Sequence, residues 1–513
     1  MNQGPELRPT PPRSVVSENS RGTEVSHTER PSEGAETNRG SLSRRIVAIE
    51  TGETISREPG SSEGSGRGVE ASSETRVGPE LMESVCTRRR RIEMAAQRHP
   101  NEPLTALNQH MDLNWLHEAY RRVRKDAAPG IDGQTVAEYG ENLTGNLRDL
   151  LARAKSGRYQ APPVKRAYVP KNEKEERPIG LPTTEDKILQ RAVVMLLEPI
   201  YEREFLPFSF GFRPGRSPHQ ALEYLREQCL VQKVEWILEV DLRKFFDTVG
   251  HQYLRELLGR RVQDGVITRL VGKWLQAGVW EKGTVNYPAE GTPQGGVASP
   301  LLSNIYLHEV LDKWFVASVQ PACRGRTFMV RFADDFVMGF ERLEDAEKVW
   351  RVIGKRFARF GLKINAEKTR LVRFKRPPYR GEDPGGDPGT FDFLGFTLYW
   401  GKTRKGYNVV MPKTAPKRFA RTLTAIKQWC RENRHLSLGE QQRVLNTKLC
   451  GHDAYYGITF NFRSLAQLRA EVERVWLYWL NRRNRGRRRN WTQFKALLQS
   501  LPLAPARIVH SYL

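Results

Sequence analysis

The sequence predicts an α+β fold of two or three packed domains. Strand-like apolar runs and helical repeats interleave without the regular strand–helix–strand period of a doubly wound sheet. At 513 residues the chain exceeds what one ordinary core organises. Beyond Pro416 the pattern turns helical and strongly basic, and no repeat of solenoid period is visible.

Taken in order, residues 1–85 are rich in Ser, Glu, Gly, Arg and Pro, and no Phe, Trp or Tyr precedes Trp115. Such a stretch buries too little apolar surface to offset chain entropy and is expected to be disordered. Order is expected from the run Arg88, Arg89, Arg90 and Arg91, followed by a helical pattern through Leu104, Leu107, Leu113, Leu116 and Tyr120. The arginine run fits either a solvated helix face or an arm on phosphates. Lys165 to Pro182 reads as a hairpin interrupted at Asn172–Glu176, and Glu185 to Pro199 as a helix. Leu343 to Phe360 keeps helical spacing, with Gly361 as the expected stop.

Lys and Arg outnumber Asp and Glu by 83 to 59, a formal charge of +24, which favours a polyanionic partner. No apolar run approaches the ~20 residues of a membrane span, and the N-terminal residues have no signal-peptide core. The cysteines Cys86, Cys229, Cys323, Cys430 and Cys450 are scattered. That dispersal argues for a reducing compartment and against both a disulfide framework and a cysteine-based zinc site.

Three segments carry the chemistry. Glu235 to Asp241 is an apolar-rich strand ending in a carboxylate. Phe328 to Phe340 is a pair of apolar strands with Asp334 and Asp335 between them. Acids inside so apolar a segment are costly unless a cation compensates them, and hard oxygen ligands suit Mg²⁺. With Asp241 added, three carboxylates suffice for two ions roughly 3.5–4 Å apart, the arrangement used for in-line phosphoryl transfer. The Asp pair alone reads more readily as a polar turn. The third segment, Gly291 to Asn304, is a Gly-rich loop with a helix start at Ser299-Pro300.

In sequence order these segments resemble the reverse-transcriptase family, specifically the proteins encoded within bacterial group II introns. The resemblance rests on Asp241 followed by Phe245-Phe246-Asp247, Pro293-Gln294-Gly295 with Ser299-Pro300-Leu301, and Phe332-Ala333-Asp334-Asp335. Flanking matches are Tyr168 to Lys171, Arg177 to Gly180, Gly211 to Ser217, Leu362 to Asn365 with Glu367 to Thr369, and Phe393 to Phe396. The match runs from about Ala127 to Phe396.

The resemblance implies a right hand. Residues 86–230 would form an N-terminal extension and fingers, 231–410 the palm, 411–480 a helical thumb or maturase domain, and 481–513 a basic DNA-binding tail. Asp241, Asp334 and Asp335 would be catalytic and would hold two Mg²⁺ ions with help from the Leu242 carbonyl. Phe246 would exclude nucleotides carrying a 2′-OH. Gln294 and Gly295 would contact the incoming nucleotide, and Lys171 and Arg177 its triphosphate. Lys368 would either protonate pyrophosphate or be a surface lysine at a helix end. The family usually has Tyr where this chain has Phe332, a change expected to spare activity while altering fidelity.

The Ser-Pro-Leu-Leu form at Ser299–Leu302, and Leu445 to Gly457 downstream, resemble the intron-encoded type, whose members bind their own intron RNA and promote its splicing. Nucleic-acid contacts are expected at Arg88–Arg91, Tyr455, Tyr456, Arg482, Arg483, Arg487, Arg488 and Arg489. Some of the downstream aromatics would instead pack amphipathic helices on the palm. The implied partners are an intron RNA template, a DNA target or primer and dNTPs, with no membrane and no obligatory protein partner. The implied setting is the bacterial cytoplasm, in association with nucleic acid. No zinc-ligand spacing follows the arginine cluster, so an HNH-type endonuclease is not expected here. Two rival expectations stand beside this one: a reverse transcriptase turned to phage defence or repair, and a splicing-only RNA-binding protein.

Overall fold

The computed structural model describes residues 84–170, 176–287, 290–291, 295–378, 388–483 and 488–512. The disorder expected for residues 1–85 therefore falls almost entirely outside the described residues.

Helix α1 (Val85–Arg98) starts at Ser84, whose hydroxyl accepts the Thr87 N–H. The single helix expected from Leu104 to Tyr120 is broken. Leu104 forms a bridge with Val262, Leu107–His110 make a 3-10 turn, and α2 (Leu113–Arg122) begins afresh where Asp112 accepts the Trp115 N–H at 2.9 Å. After α3 (Leu143–Ser156), β1 (Val164–Pro170) and β2 (Glu176–Leu181) form the expected hairpin.

Helix α4 (Thr184–Glu204) is buried on nearly every face, and the Trp115 indole N–H donates to its Ala192 carbonyl at 2.9 Å. It runs through Pro199 to a later end than the sequence suggested. Helix α5 (Pro218–Val231) leads into β3 (Trp236–Val240). Past α6 (Gly265–Leu275), β4 (Val279–Glu281) returns to β1 and β5 (Thr284–Asn286) extends that sheet, in the order β2-β1-β4-β5.

Helix α7 (Ser299–Leu307) opens with Pro in its first turn and continues as a π-helical turn, His308–Asp312. The hairpin β6 (Thr327–Phe332) and β7 (Asp335–Phe340), the helix α8 (Leu343–Ala358) and β8 (Arg370–Arg373) complete the second sheet, in the order β6-β7-β3-β8. A third sheet comprises β9 (Phe391–Phe393), β10 (Phe396–Lys402) and β11 (Asn408–Thr414).

Four helices follow: α9 (Pro416–Glu432), α10 (Leu438–Tyr456), α11 (Phe462–Leu480) and α12 (Trp491–Ser500). They share a core of Ile426, Leu445, Leu449, Leu468, Val472, Trp476 and Phe494, separate from the main core and from the core under the third sheet. The segment after α12 turns back: His510 bridges Ile458 and stacks on His219 at 3.6 Å, and Arg226 lies 3.8 Å from the Tyr512 ring centroid. The interleaved helices and sheets agree with the expected α+β class. Among the described residues no helix is long and apolar enough to cross a membrane.

Candidate active site

The three acids meet at one end of the second sheet. Val240 pairs with Phe336, so Asp241, one residue on, is level with Asp335. Phe332 pairs with Asp335, which leaves Ala333 and Asp334 as a two-residue turn. Ala333 has a φ of 56°, a conformation that L-residues adopt at a cost. The segment carrying Asn365 and Lys368 lies along Asp241. Asn365 donates its backbone N–H to the Asp241 carbonyl at 2.8 Å and its side-chain amide to Asp241 Oδ2 at 3.0 Å. Lys368 Nζ reaches the same Oδ2 at 3.4 Å. Leu242 is buried and bridges Ile364.

Crowded acids disfavour their own ionisation. Burial raises the Asp334 carboxyl and the charge of Asp241 adds to it, against relief from Arg177 and Arg331. The Asp335 carboxyl is pushed up to about 7, by enclosure first and then by Asp334, Glu239 and Asp241. Because Asp335 keeps an open side to solvent, the crowding of charges is the firmer of these causes. Acids that raise one another in this way fit a divalent cation, whose charge reverses the penalty.

A stability test follows from the sign of that shift. The unfolded carboxyl titrates near pH 3.9 and the folded one near 7. The fold therefore favours the neutral acid, and stability is lost as pH rises through that window. In a chelating buffer Asp335→Asn should melt above wild type at pH 8 and level with it near pH 4. A divalent cation should erase the advantage, and equal melting curves at pH 8 would contradict the crowding.

The residues expected at the nucleotide are placed by the elements around the acids as follows. Arg177 lies on β2, close enough for its charge to act on Asp334. Gly295 has a φ of 111°, and a Cβ there would stand 2.5 Å from the Gly180 carbonyl oxygen, so Gly295 lies directly on β2. Phe246 is half-buried in the short helix Phe245–Thr248, edge-on to Phe245 at 5.3 Å. Phe332 packs its ring toward Phe212 at 6.4 Å. Lys171 and Gln294 lie outside the described residues.

The residues expected on nucleic acid divide. Arg88 is buried, bonded to Asp112 at 2.8 Å and to the His110 carbonyl, and Arg89 is bonded to Glu198 at 2.5 Å. Both hold α1 to the core instead of presenting themselves to a phosphate. Tyr455 and Tyr456 also turn inward: both rings lie against Phe396, and the Tyr455 hydroxyl donates to the Leu394 carbonyl at 2.8 Å. They join the thumb to the third sheet and are not a stacking platform. Arg90, Arg91, Arg482, Arg483, Arg488 and Arg489 are exposed. The Arg482 guanidinium sits 4.5 Å from the Tyr478 ring centroid, and Arg483 donates to the Leu436 carbonyl at 3.1 Å. Arg487 lies outside the described residues.

Sequence reasoning missed Asn365 as a partner of Asp241, although the residue stood inside a quoted motif. It also missed Arg331, a fully buried guanidinium beneath the acidic turn. Another acidic group, Glu204, His308 and Glu309, has ligand atoms within 4.8 Å of one another. Arg261, Arg260 and Lys313 already pair its carboxylates, so it serves as a structural charge network.

A fingers sheet over an acid-tipped palm sheet, flanked by a helical thumb, defines a right-hand nucleic-acid polymerase. The family described as reverse transcriptase (RNA-dependent DNA polymerase) matches residues 169–398. Protein YkfC of Escherichia coli (strain K12) is 34% identical over 364 residues, covering 63% of this chain and 91% of that protein. The group II intron-encoded protein LtrA of Lactococcus lactis subsp. cremoris is 36% identical over 231 residues, 44% of this chain and 37% of that protein. The putative COX1/OXI3 intron 1 protein of Saccharomyces cerevisiae is 26% identical over 408 residues, 67% of this chain and 47% of that protein. The chain thus spans less than half the length of these two intron-borne relatives. It belongs to the reverse-transcriptase family. That family generally works with divalent metal ions.

Proposed function

We propose that this protein copies RNA into DNA from a primer end and, bound to a group II intron RNA, promotes that intron's splicing and mobility. The observation that carries the reading is the convergence of Asp241, Asp334 and Asp335 at one end of the second sheet, with Lys368 at Asp241 and the charge of Arg177 acting on Asp334. We take the ions to be two Mg²⁺, held by the three carboxylates and the Leu242 carbonyl. When bound, they would stabilise the attacking and leaving oxygens of the transfer. Arg177 and Lys171 hold the triphosphate, where a guanidinium fork and a point charge suit phosphate oxygens. The loop of Gln294 and Gly295 seats the nucleotide against β2. Lys368, 3.4 Å from Asp241 Oδ2, is the proposed proton donor to the departing pyrophosphate, the alternative being a surface lysine.

Extension of a DNA primer on an RNA template with Mg²⁺ tests the polymerase. Acceleration of splicing of an added group II intron RNA tests the maturase. A protein that accelerates splicing but extends no primer would overturn the first half of the proposal.

Phe246 is the proposed barrier to ribonucleotides. Phe246→Ala should relax dNTP-over-rNTP selectivity by roughly 10–200-fold, the span available from removing a steric contact in a pocket. Single-nucleotide incorporation measures it, and unchanged selectivity would remove Phe246 from the role. Exposed arginines at both ends of the described chain predict counterion-driven binding. If 6–10 phosphates are contacted, RNA affinity should fall about 10³–10⁵-fold between 50 and 200 mM salt. A flat titration would mean that these cations do not contact the backbone.

A further inference from the structure

We infer that Arg331 is a positioning residue: its guanidinium, anchored by Asp312, Asn304 and Ser209, fixes the Ala333 carbonyl and with it the height of the Asp334 carboxylate. The inference rests on the reading of Asp334 as a catalytic carboxylate, and the experiment below separates the failure of one from the failure of the other.

Arg331 is fully buried, in a strand whose neighbours Phe328, Met329 and Val330 are buried too. An apolar residue would fill such a place at lower cost, since a buried ion pair is weak evidence for stability. What the guanidinium adds is direction. Nε and Nη2 donate to the two Asp312 carboxylate oxygens at 2.7 and 2.6 Å, in a bidentate fork. Nη2 also donates to Ser209 Oγ at 2.7 Å, and Nη1 to Asn304 Oδ1 at 2.9 Å. The remaining bond, from Nη1, goes to the Ala333 carbonyl at 3.0 Å, inside the turn that bears Asp334. All five donors are used, so the group has one orientation.

The partners are themselves fixed. Asp312 sits in the π-helical turn after α7, a widened geometry often found beside functional sites. Burial opposes its ionisation, but the charges of Arg331 and His308 outweigh burial and hold it below the usual carboxylate range. Asn304 donates its amide to the Gly211 carbonyl at 2.6 Å. The loop Phe208–Gly211 is stitched to Arg331 along the backbone: Arg331 N donates to Phe208 O at 2.9 Å, and Phe210 N to Arg331 O at 2.8 Å. A Cβ on Gly211 would stand 2.2 Å from the Ala333 nitrogen, so this loop is the wall against which the turn rests. The Gly-Phe-Arg-Pro-Gly motif and Asn304 thereby acquire one physical purpose. They form a mould that holds Ala333 at its strained φ, and Asp334 where a cation needs it.

The test uses the full chain and two mild variants, Asn304→Ala and Ser209→Ala, each of which removes one anchor and keeps the Arg331–Asp312 pair. Mn²⁺ binding to the protein alone is read from loss of the free-ion EPR signal, beside thermal melting, RNA affinity and single-nucleotide incorporation. Outer-shell partners of metal ligands contribute about 10–100-fold in affinity. Both variants should weaken Mn²⁺ binding by about tenfold and slow incorporation with Mg²⁺ to a similar extent, while RNA affinity stays near wild type and melting falls only as far as one or two lost buried hydrogen bonds require. Asp334→Asn, run in parallel, should weaken Mn²⁺ binding at least as much. If the two variants bind Mn²⁺ as wild type does while Asp334→Asn does not, the mould is overturned and the carboxylate reading stands. If Asp334→Asn also binds Mn²⁺ normally, the carboxylate reading falls with it. A joint fall of melting temperature, RNA affinity and Mn²⁺ binding makes the network structural and overturns the positioning role.

Discussion

Asp334→Asn should cut primer extension by about 10³-fold or more, equivalent to roughly 4 kcal/mol of lost transition-state stabilisation. The substitution is nearly isosteric and removes one of three mutually repelling charges, so the fold should not suffer. Melting temperature in chelating buffer should hold or rise, and RNA affinity should stay within about twofold, because the exposed arginines are untouched. Filter binding and single-turnover extension on the same preparation separate these quantities. Extension at a tenth of wild type or better would show that Asp334 does not hold the reacting site.

Asp453→Ala should be the most damaging change outside the palm. Arg469 on α11 is buried, bonded to Asp453 on α10, and donates through Nε to the Ala504 carbonyl at 3.2 Å. The same Asp453 carboxylate accepts the Arg507 N–H at 3.0 Å. Its removal leaves a buried guanidinium uncompensated, a loss of about 3–5 kcal/mol. The segment 504–510 should then detach, opening a protease-sensitive site while the palm stays folded. Denaturant titration and limited proteolysis check both parts, and a wild-type midpoint would refute the role given to this pair.

Much of the palm was legible because its chemistry is local in the chain. The Asp334–Asp335 hairpin, the strand ending at Asp241 and the start of α7 each announce themselves through neighbouring residues. What could not be read depends on partners far away in sequence. Arg331 looks like an outward residue of an exposed strand face; only the cover provided by α7 and the Phe208–Gly211 loop turns it inward. Arg88 and Arg89 fit a solvated helix face or an arm on phosphates because Asp112 and Glu198, which neutralise them, lie elsewhere in the sequence. The expectation of nucleic-acid contact at Tyr455 and Tyr456 fails because helical periodicity cannot foresee that the third sheet covers that end of α10. The break before α2 is written in the sequence itself: Asp112 is an N-cap three residues before Trp115, a signal that outranks apolar spacing.

The strand order of the palm also bears on how the protein is made. β3 lies between β7 and β8, neither of which has been synthesised when β3 emerges from the ribosome. Asn365, which clasps Asp241, follows it by 124 residues. At about 5–20 residues per second, both edges of β3 stay bare for roughly 5–19 seconds until β7 follows, and Asp241 waits roughly 6–25 seconds for Asn365. Recombinant yield should therefore respond more to chaperone supply and growth temperature than to codon choice within β3 itself.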